Sequence, residues 1–409
     1  MSDQPHTAGP GPAADAAPSF VLPAAAPQRL VLEFTGSGSE YFRIWIVNLL
    51  LTLVTLTLYH PFAKARKLAY FHANTLVGGH ALGFHGDPYK MLRGYLLVLV
   101  FSVSYAVGTR LAPMLALVAI GAFVLVWPAL WRASLQFRLG NTSWRGLRFG
   151  FDGNLAGAYR AMLPGSVPWV VMVALSVLMR SELQQPADAA AAAANGWWVT
   201  GMMSAMLAGV LLVPLSLAWI KRYQHGHYLY DGQRGRLDAS TGAFYRLSFK
   251  VIGVTLLVPL AAVALAGVGG AILAVGMEDK QAAGNLFNLA MLGGVIVSYM
   301  LMFIIAMPYA RSRLQNLVWG QTRSEALQFH STLRLRPLAG LTLKNLLLTI
   351  LTLGLFWPFA AVANARMRLQ AVSVDVQGDL SHWAAGSQGR PGGATGDAAG
   401  DFFGFDLGL

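Results

Sequence analysis

The residues best placed to do chemistry in this chain are six uncharged polar side chains set inside two nearly identical apolar strings. Asn48, Thr52 and Thr55 lie in NLLLTLVTLTLYHPFA (residues 48–63), and Asn345, Thr349 and Thr352 lie in NLLLTILTLGLFWPFA (residues 345–360). Aligned without a gap, 11 of the 16 positions are identical, among them the Asn, both of these Thr and the closing Pro-Phe-Ala. Apolar composition alone would put Leu on Leu, but not Asn on Asn and Pro on Pro, so the strings are copies. Spacings of four, three and seven put each triplet on one helical face. Such a stripe can coordinate the polar groups of a solute or line a pore. It can also hydrogen-bond one repeat to the other, at about 1 kcal/mol per contact, and that blander use is the favoured one.

Other chemistry is thinner. Lys64, Arg66, Lys67, Arg311 and Arg313 follow the apolar strings closely enough to touch lipid phosphates, although topology and lipid anchoring account for them without a specific ligand. His72, His80 and His85, with His225 and His227, could meet at a metal only if their segments converge, and their spacing matches no standard ligand motif. Backbone-bonded or solvated rings are expected, with no metal and no cofactor. There is no cysteine, which excludes disulfides, thiolate metal sites and thiol catalysis. No HExxH, GxSxG, Walker A or Rossmann fingerprint is present. No catalytic residue is assigned, and the chain is not expected to be an enzyme. All 18 Asp and Glu fall outside the apolar runs, which argues against a carboxylate proton relay.

The elements that must position these residues follow from composition. A chain of 409 residues that is 55% hydrophobic and only 12% charged is an integral membrane protein. Its net charge of +12 belongs to membrane topology and to anionic lipid at the cytoplasmic face, with no nucleic-acid partner expected. Residues 1–28 are Pro- and Ala-rich and read as a disordered leader, without the pattern of a cleaved signal peptide. Residues 30–34 alternate as a short strand or turn. Six runs, 92–108, 111–130, 162–179, 197–220, 251–277 and 286–310, are secure transmembrane helices, the first two forming a hairpin with a very short turn. An Ala-rich loop with Pro186 and Asp188 separates the third and fourth.

Every other span ends alike: a proline, basic residues, a polar pair, then an aromatic-Gly strand signal. Pro61, Pro128, Pro214 and Pro308 each stand 13 residues before such a pair, at Asn74-Thr75, Asn141-Thr142, His227-Tyr228 and Gln321-Thr322. The chain thus reads as a repeated unit of helix plus basic loop. The post-proline segments are 61–93, 128–160, 214–250, 308–344 and 358–380, within a membrane domain of 29–380 that precedes a Gly-rich tail, 381–409. Of the 30 Lys and Arg, 25 lie in 61–93, 132–160, 221–250, 311–344 and 366–390, so the segments between secure spans are cytoplasmic. The fold class is an all-α polytopic membrane protein whose small basic cytoplasmic segments carry short strands. The two terminal repeats stay ambiguous. If they cross, there are eight spans and both chain ends lie outside. If they dip and return, there are six spans and every basic segment is cytoplasmic. Their uninterrupted apolar runs are short enough for either.

The run FTGSGSEYFRIWIVNLLLTLVTLTLYHPFAKARKLAYF, its echo at 345–360 and the closing GDFFGFDLGL resemble the YjgN-like family of bacterial inner-membrane proteins. The resemblance covers residues 30–409 and implies a multi-pass protein of the bacterial inner membrane. It implies no biochemical activity. The chain departs from the family pattern TLG-Y-x-P-[WF]-A-K-x-R at Thr57 in the first repeat and at Ala361 and Ala363 in the second. The expected role is a transporter or channel for a small solute, with its site between the terminal repeats. The alternative is a non-transporting scaffold or envelope-associated interaction protein.

Overall fold

The computed structural model describes residues 28–111, 113–183 and 197–377. The leader, apart from Gln28, the Gly-rich tail and the Ala-rich loop lie outside the described residues. The helices come as five hairpins. The first is Gly38–Val54 with His60–Ala73, and the second is Pro88–Leu111 with Pro113–Gly140. The third is Leu155–Leu183 with Trp197–His225. In the fourth, Thr241–Ala274 pairs with Lys280–Leu301, which runs through a π-helical turn, Met302–Ala306, into Met307–Trp319. The fifth is Leu335–Leu351 with Trp357–Gln370. Among the described residues five helical stretches are long and apolar enough to cross a membrane, and all five belong to the middle three hairpins. In the fourth hairpin the helices approach so closely that a Cβ on Gly294 would run into Ala266, and one on Gly270 into Ala290. Small residues at such crossings are how helices associate where lipid removes the hydrophobic drive between them.

The basic segments form strands, and these do more than decorate loops. They are β1 (Gln28–Phe34), β2 (Thr75–Val77), β3 (His80–Phe84), β4 (Thr142–Trp144), β5 (Leu147–Arg148), β6 (Gly150–Phe151), β7 (Tyr228–Tyr230), β8 (Gln233–Arg234), β9 (Arg236–Leu237), β10 (Thr322–Arg323), β11 (Leu327–Ser331) and β12 (Val372–Val376). Three of the connections are two-residue turns with both residues at positive φ, at Gly78-Gly79, Arg145-Gly146 and Asp231-Gly232, the geometry that matches the twist of a tight hairpin. Nine strands pair antiparallel in the order β5-β4-β3-β2-β1-β12-β11-β10-β9, and three more as β6-β7-β8. The two sheets join through one-residue kinks at Phe149 and Gly235, so the strands make a closed belt. β1 closes it by lying between β2 and β12.

The belt is filled. Leu30, Trp144, Leu147, Tyr230, Val374 and Val376 form one buried cluster, with Val77, Leu82, Leu327 and Phe329 packed on it. Each of the five post-proline segments contributes at least one of these side chains. Above the belt each helical hairpin packs against the next, and the fifth returns to the first.

The prolines of the repeated unit now have a common place. Pro61, Pro128, Pro214, Pro308 and Pro358 are all buried, each in the returning helix of its hairpin. In the middle hairpins the returning helix continues through or up to the proline from far above. In the terminal hairpins it begins there, at His60 and Trp357. A proline removes one helical N–H and strains the turn before it. In two middle hairpins that turn is repaired from outside: Tyr159 donates its hydroxyl to Leu125 O at 2.5 Å, and Tyr245 to Leu211 O at 3.1 Å, each carbonyl three residues before the proline.

Candidate functional site

The two terminal hairpins are built with the same boundaries at a constant offset, and their turns match bond for bond. Thr55 Oγ1 donates to Leu51 O (2.7 Å) and accepts from the backbone N–H of Tyr59 (2.9 Å). Thr352 Oγ1 donates to Leu348 O (2.7 Å) and accepts from the N–H of Phe356 (2.9 Å). The next bonds also agree: Thr57 N–H reaches Thr52 O and Gly354 N–H reaches Thr349 O, both at 2.7 Å. Leu56 and Leu353 both adopt positive φ, 47° and 50°. A broken helix leaves backbone groups to be satisfied, and the two threonines bond to them.

The rest of the stripe divides. Thr52 Oγ1 bonds back to Asn48 O at 2.6 Å. Asn48 and Asn345 are buried, 6% exposed each. Asn48 Nδ2 donates to Ala63 O at 3.4 Å, across the first hairpin. Asn48 Oδ1 and Asn345 Nδ2 are buried without a hydrogen-bond partner. The six residues therefore do not form a single cluster of free polar groups. Three of the four threonine hydroxyls bond to backbone within their own hairpin, and only the two asparagines keep buried hydrogen-bonding capacity.

The next residue of the turn is where the copies part. Gly354 takes φ 95°, which glycine tolerates, whereas Thr57 takes φ 75°, which a β-branched residue resists. The strain has a local compensation: Tyr95, from the second hairpin, donates its hydroxyl to Thr57 Oγ1 at 2.8 Å. The departure at Thr57 is thus tied to a contact between neighbouring hairpins.

Around these hairpins runs a basic rim. Arg66 lies over the Tyr59 ring at 5.6 Å, Lys67 over Trp357 at 5.8 Å and Arg313 over Tyr309 at 5.6 Å. Arg66, Lys67, Arg311 and Arg313 are exposed and Lys64 is half-buried. Cations held over aromatic rings beside apolar surface suit the headgroup layer. At the positions matching Lys64 and Arg66 the fifth hairpin has Ala361 and Ala363. Its own cation, Arg366, instead ties the two ends of the chain together, donating to Gly36 O at 2.7 Å.

The histidines go to structural uses. His72 Nδ1 lies 2.7 Å from Leu68 O and His227 Nδ1 2.7 Å from Tyr223 O, both backbone carbonyls. His85 pairs with Ser143 and His225 with Thr322. Burial holds the His72 imidazole below its ordinary pKa, so it stays neutral near pH 7. Among the described residues no group of three or more His or acidic side chains could hold a metal.

A second polar region was not legible in the sequence. In the returning helices, just above the belt, Ser134, Lys221, Gln224, His225, Ser312 and Gln315 are buried. Lys221 Nζ donates to Gln224 Oε1 at 3.0 Å, and Arg368 Nε donates to Gln315 Oε1 at 3.2 Å. These residues sit about one to three turns past Pro128, Pro214 and Pro308, and that register was the available signal. Tyr159 and Tyr245 had one as well, each seven residues after an Asp.

A family model described as "Bacterial protein of unknown function (DUF898)" matches residues 29–402. The chain belongs to this family. It is similar to the protein named "Inner membrane protein YjgN" of Salmonella typhimurium, 24% identical over 358 residues, covering 85% of this chain and 89% of the relative. Proteins of the same name in Escherichia coli O157:H7 and K12 are 27% and 28% identical over 128 and 126 residues, about a third of each chain. No solved structure matches. The relatives' names speak of a membrane, and neither they nor the family description names an activity. The chain is accordingly a bacterial membrane protein in a lipid bilayer, similar to inner-membrane proteins, with several apolar helices.

Proposed function

We propose that the chain is a six-span protein of the bacterial inner membrane, with its belt and both ends of the described chain on the cytoplasmic side. In this reading the middle hairpins cross the membrane and the terminal hairpins, copies of one ancestral unit, enter the cytoplasmic leaflet and return. Three features support it. Each terminal hairpin leaves the belt and comes back to a neighbouring strand. Each turns at the level of the shared prolines. Their tips are bare leucine and valine, with Leu353 95%, Leu56 83% and Val54 81% exposed, surfaces that only acyl chains can cover.

The function best supported is that of a non-enzymatic membrane scaffold rather than a conduit. One observation carries this: among the described residues, side chains from all five segments meet in a single buried apolar cluster at the belt, packing expected of a structural core rather than of a solute path. The rim of Lys64, Arg66, Lys67, Arg311 and Arg313 would anchor it through anionic lipid phosphates. The second reading, a transporter or channel for a small solute, is favoured by the buried amide atoms of Asn48 and Asn345, which could meet a solute where the two short hairpins adjoin.

Purified protein in proteoliposomes should give background flux across a broad panel of ions and small solutes. A solute whose flux exceeds background and falls with Asn48→Leu or Asn345→Leu would overturn the scaffold reading. A reporter fused after Leu409 should be active only in the cytoplasm. Activity only in the periplasm would restore eight full spans.

A further inference from the structure

The five outgoing helices share a register. The residues just before them are Ser37, Asp87, Asn154, Ser240 and Arg334. Four positions on, Tyr41, Met91, Ala158, Phe244 and Leu338 are all buried, none more than 3% exposed. Six positions on stand Arg43, Arg93, Arg160 and Arg246, all exposed, and in the fifth hairpin Gly340. Two further residues rotate a helix by about 200°, so the arginines point away from the packed face. Because the hairpins close into a ring, a shared register is a shared height, about 9 Å above the helix starts.

That height is the edge of the hydrocarbon. After Arg43, Arg93 and Arg160 the next charged residues are Lys64, Arg110 and Arg180, and after Arg246 only Lys250 precedes the apolar run. Three or four residues past the arginines, on the same helical face, Val47, Leu97, Leu163 and Phe249 are exposed. Each face therefore reads cation, then bare apolar surface, the order of a phospholipid's phosphate and acyl chain.

The position before the arginine reaches back to the preceding hairpin in three of the four cases. Phe42 meets the Phe359 ring at 5.7 Å, Tyr159 donates to Leu125 O and Tyr245 to Leu211 O. The guanidinium that follows is left on the outside of the seam. Among the described residues none of the four arginines makes a hydrogen bond or ion pair. Arg43 has a carboxylate in electrostatic range, Glu40, which already accepts from the Tyr70 hydroxyl.

We propose that Arg43, Arg93, Arg160 and Arg246 each hold the phosphate of an anionic phospholipid at the belt-side edge of the membrane, forming a collar of lipid sites at the seams between hairpins. A guanidinium pairs with phosphate bidentately, and a lipid without a headgroup ammonium leaves it no competitor. The seam before the fifth hairpin is the exception. Ala339 and Gly340 take the two positions there, on a helix that packs against the π-helical turn, and a Cβ on Gly340 would meet no atom within 4 Å. The collar thus has one gap, and the gap is open. The sites are additional to the rim that anchors the scaffold, and only the leaflet they occupy rests on the six-span reading.

To test this, the full chain is reconstituted in vesicles of equal parts phosphatidylglycerol and phosphatidylcholine and extracted in mild detergent. The lipids it retains are counted by native mass spectrometry. Phosphatidylglycerol should be retained in preference, and Arg43→Gln, Arg93→Gln, Arg160→Gln and Arg246→Gln should each lower its mean count by about one. Arg236→Gln, on the belt and paired with Asp238, should leave the count unchanged. Gly340→Arg should raise it by about one, a gain that no folding defect imitates. Equal retention of the two lipids would overturn the proposal. So would an unchanged count in the variant carrying all four Arg→Gln changes, in protein that elutes as a single folded species. The counts do not depend on the leaflet, so a periplasmic signal from the reporter after Leu409 would overturn the six-span reading while the collar stands or falls by the counts.

Discussion

The first and fifth hairpins are two copies of one device, and three of their differences bear on their neighbours. Both break the helix with the same threonine wiring, at Thr55 and Thr352, and both restart it at a buried proline. The first has Thr57 where the fifth has Gly354, a cationic Lys64-Ala65-Arg66-Lys67 where the fifth has Ala361-Val362-Ala363-Asn364, and His72 where the fifth has Leu369. What is shared is the hydrogen bonding that turns the chain round at the break in the helix. What differs is contact with neighbours. The first copy leans on the second hairpin through Tyr95 and presents cations to the rim, whereas the fifth binds the chain ends through Arg366. The comparison separates the turn as a structural necessity from the flanks as the part free to specialise.

The strongest way to break the shared part is to remove the hydroxyl. Thr55→Val and Thr352→Val each leave a backbone N–H, of Tyr59 or Phe356, without its acceptor in an apolar setting. The cost of such an orphan is about 1–3 kcal/mol. Each variant should lower thermal stability in mild detergent by a similar amount, and the double variant should lose the sum, since the two turns share no hydrogen bond. Stability unchanged in both would mean that the threonines do not hold the break.

A sharper test swaps the residue at which the copies part. Gly354→Thr forces a β-branched residue into left-handed backbone, at about 1–2 kcal/mol, and no counterpart of the Tyr95 contact is described there. Thr57→Gly relieves strain of that size but forfeits the hydrogen bond from Tyr95, worth about 1 kcal/mol. The first substitution should therefore destabilise clearly and the second hardly at all. With Tyr95→Phe already in place, Thr57→Gly should become stabilising.

These contrasts also mark how far the sequence could be read. The repeats, the six long apolar runs and the proline register were all visible, because helix length, hydropathy and spacing are local properties. The six long runs fall on helices and the first strand on β1, but among the described residues five helical stretches are long and apolar enough to cross a membrane, and the helices continue past the prolines where the spans were expected to end. The closed belt was not visible. Its strands are two to seven residues long, and what joins them is pairing between segments far apart in the chain, as when β1 meets β12. Periodicity cannot report such pairing. The polar stripe was legible as residues but not as bonds, since the same Asn-x-x-x-Thr-x-x-Thr face serves a solute, a neighbouring helix or its own backbone. Here the threonines mostly chose the backbone. The buried layer around Lys221 was hidden because a basic residue after a membrane span looks like topology whether it faces lipid or the interior.

The smallest expected effect concerns the foot of the first hairpin. His72 is half-buried, with one ring nitrogen at Leu68 O and the other 3.3 Å from Thr142 Oγ1, a contact that joins the first basic segment to the second. Burial lowers its pKa below the value of about 6.5 that it has in an unfolded chain. Between those two values the unfolded chain binds the proton and the folded chain does not, so stability rises with pH across that window. The contribution is complete above the unfolded value and is lost as pH falls towards the depressed one. Wild-type protein should therefore lose more stability between pH 7 and pH 5 than His72→Gln, which keeps an amide able to donate to Leu68 O but cannot titrate. The fifth hairpin supplies the control: Leu369 at the matching place should make Leu369→Gln no more sensitive to pH than the wild type. Parallel curves for wild type and His72→Gln would show that the foot of the first hairpin opens to water readily enough for its histidine to protonate without unfolding.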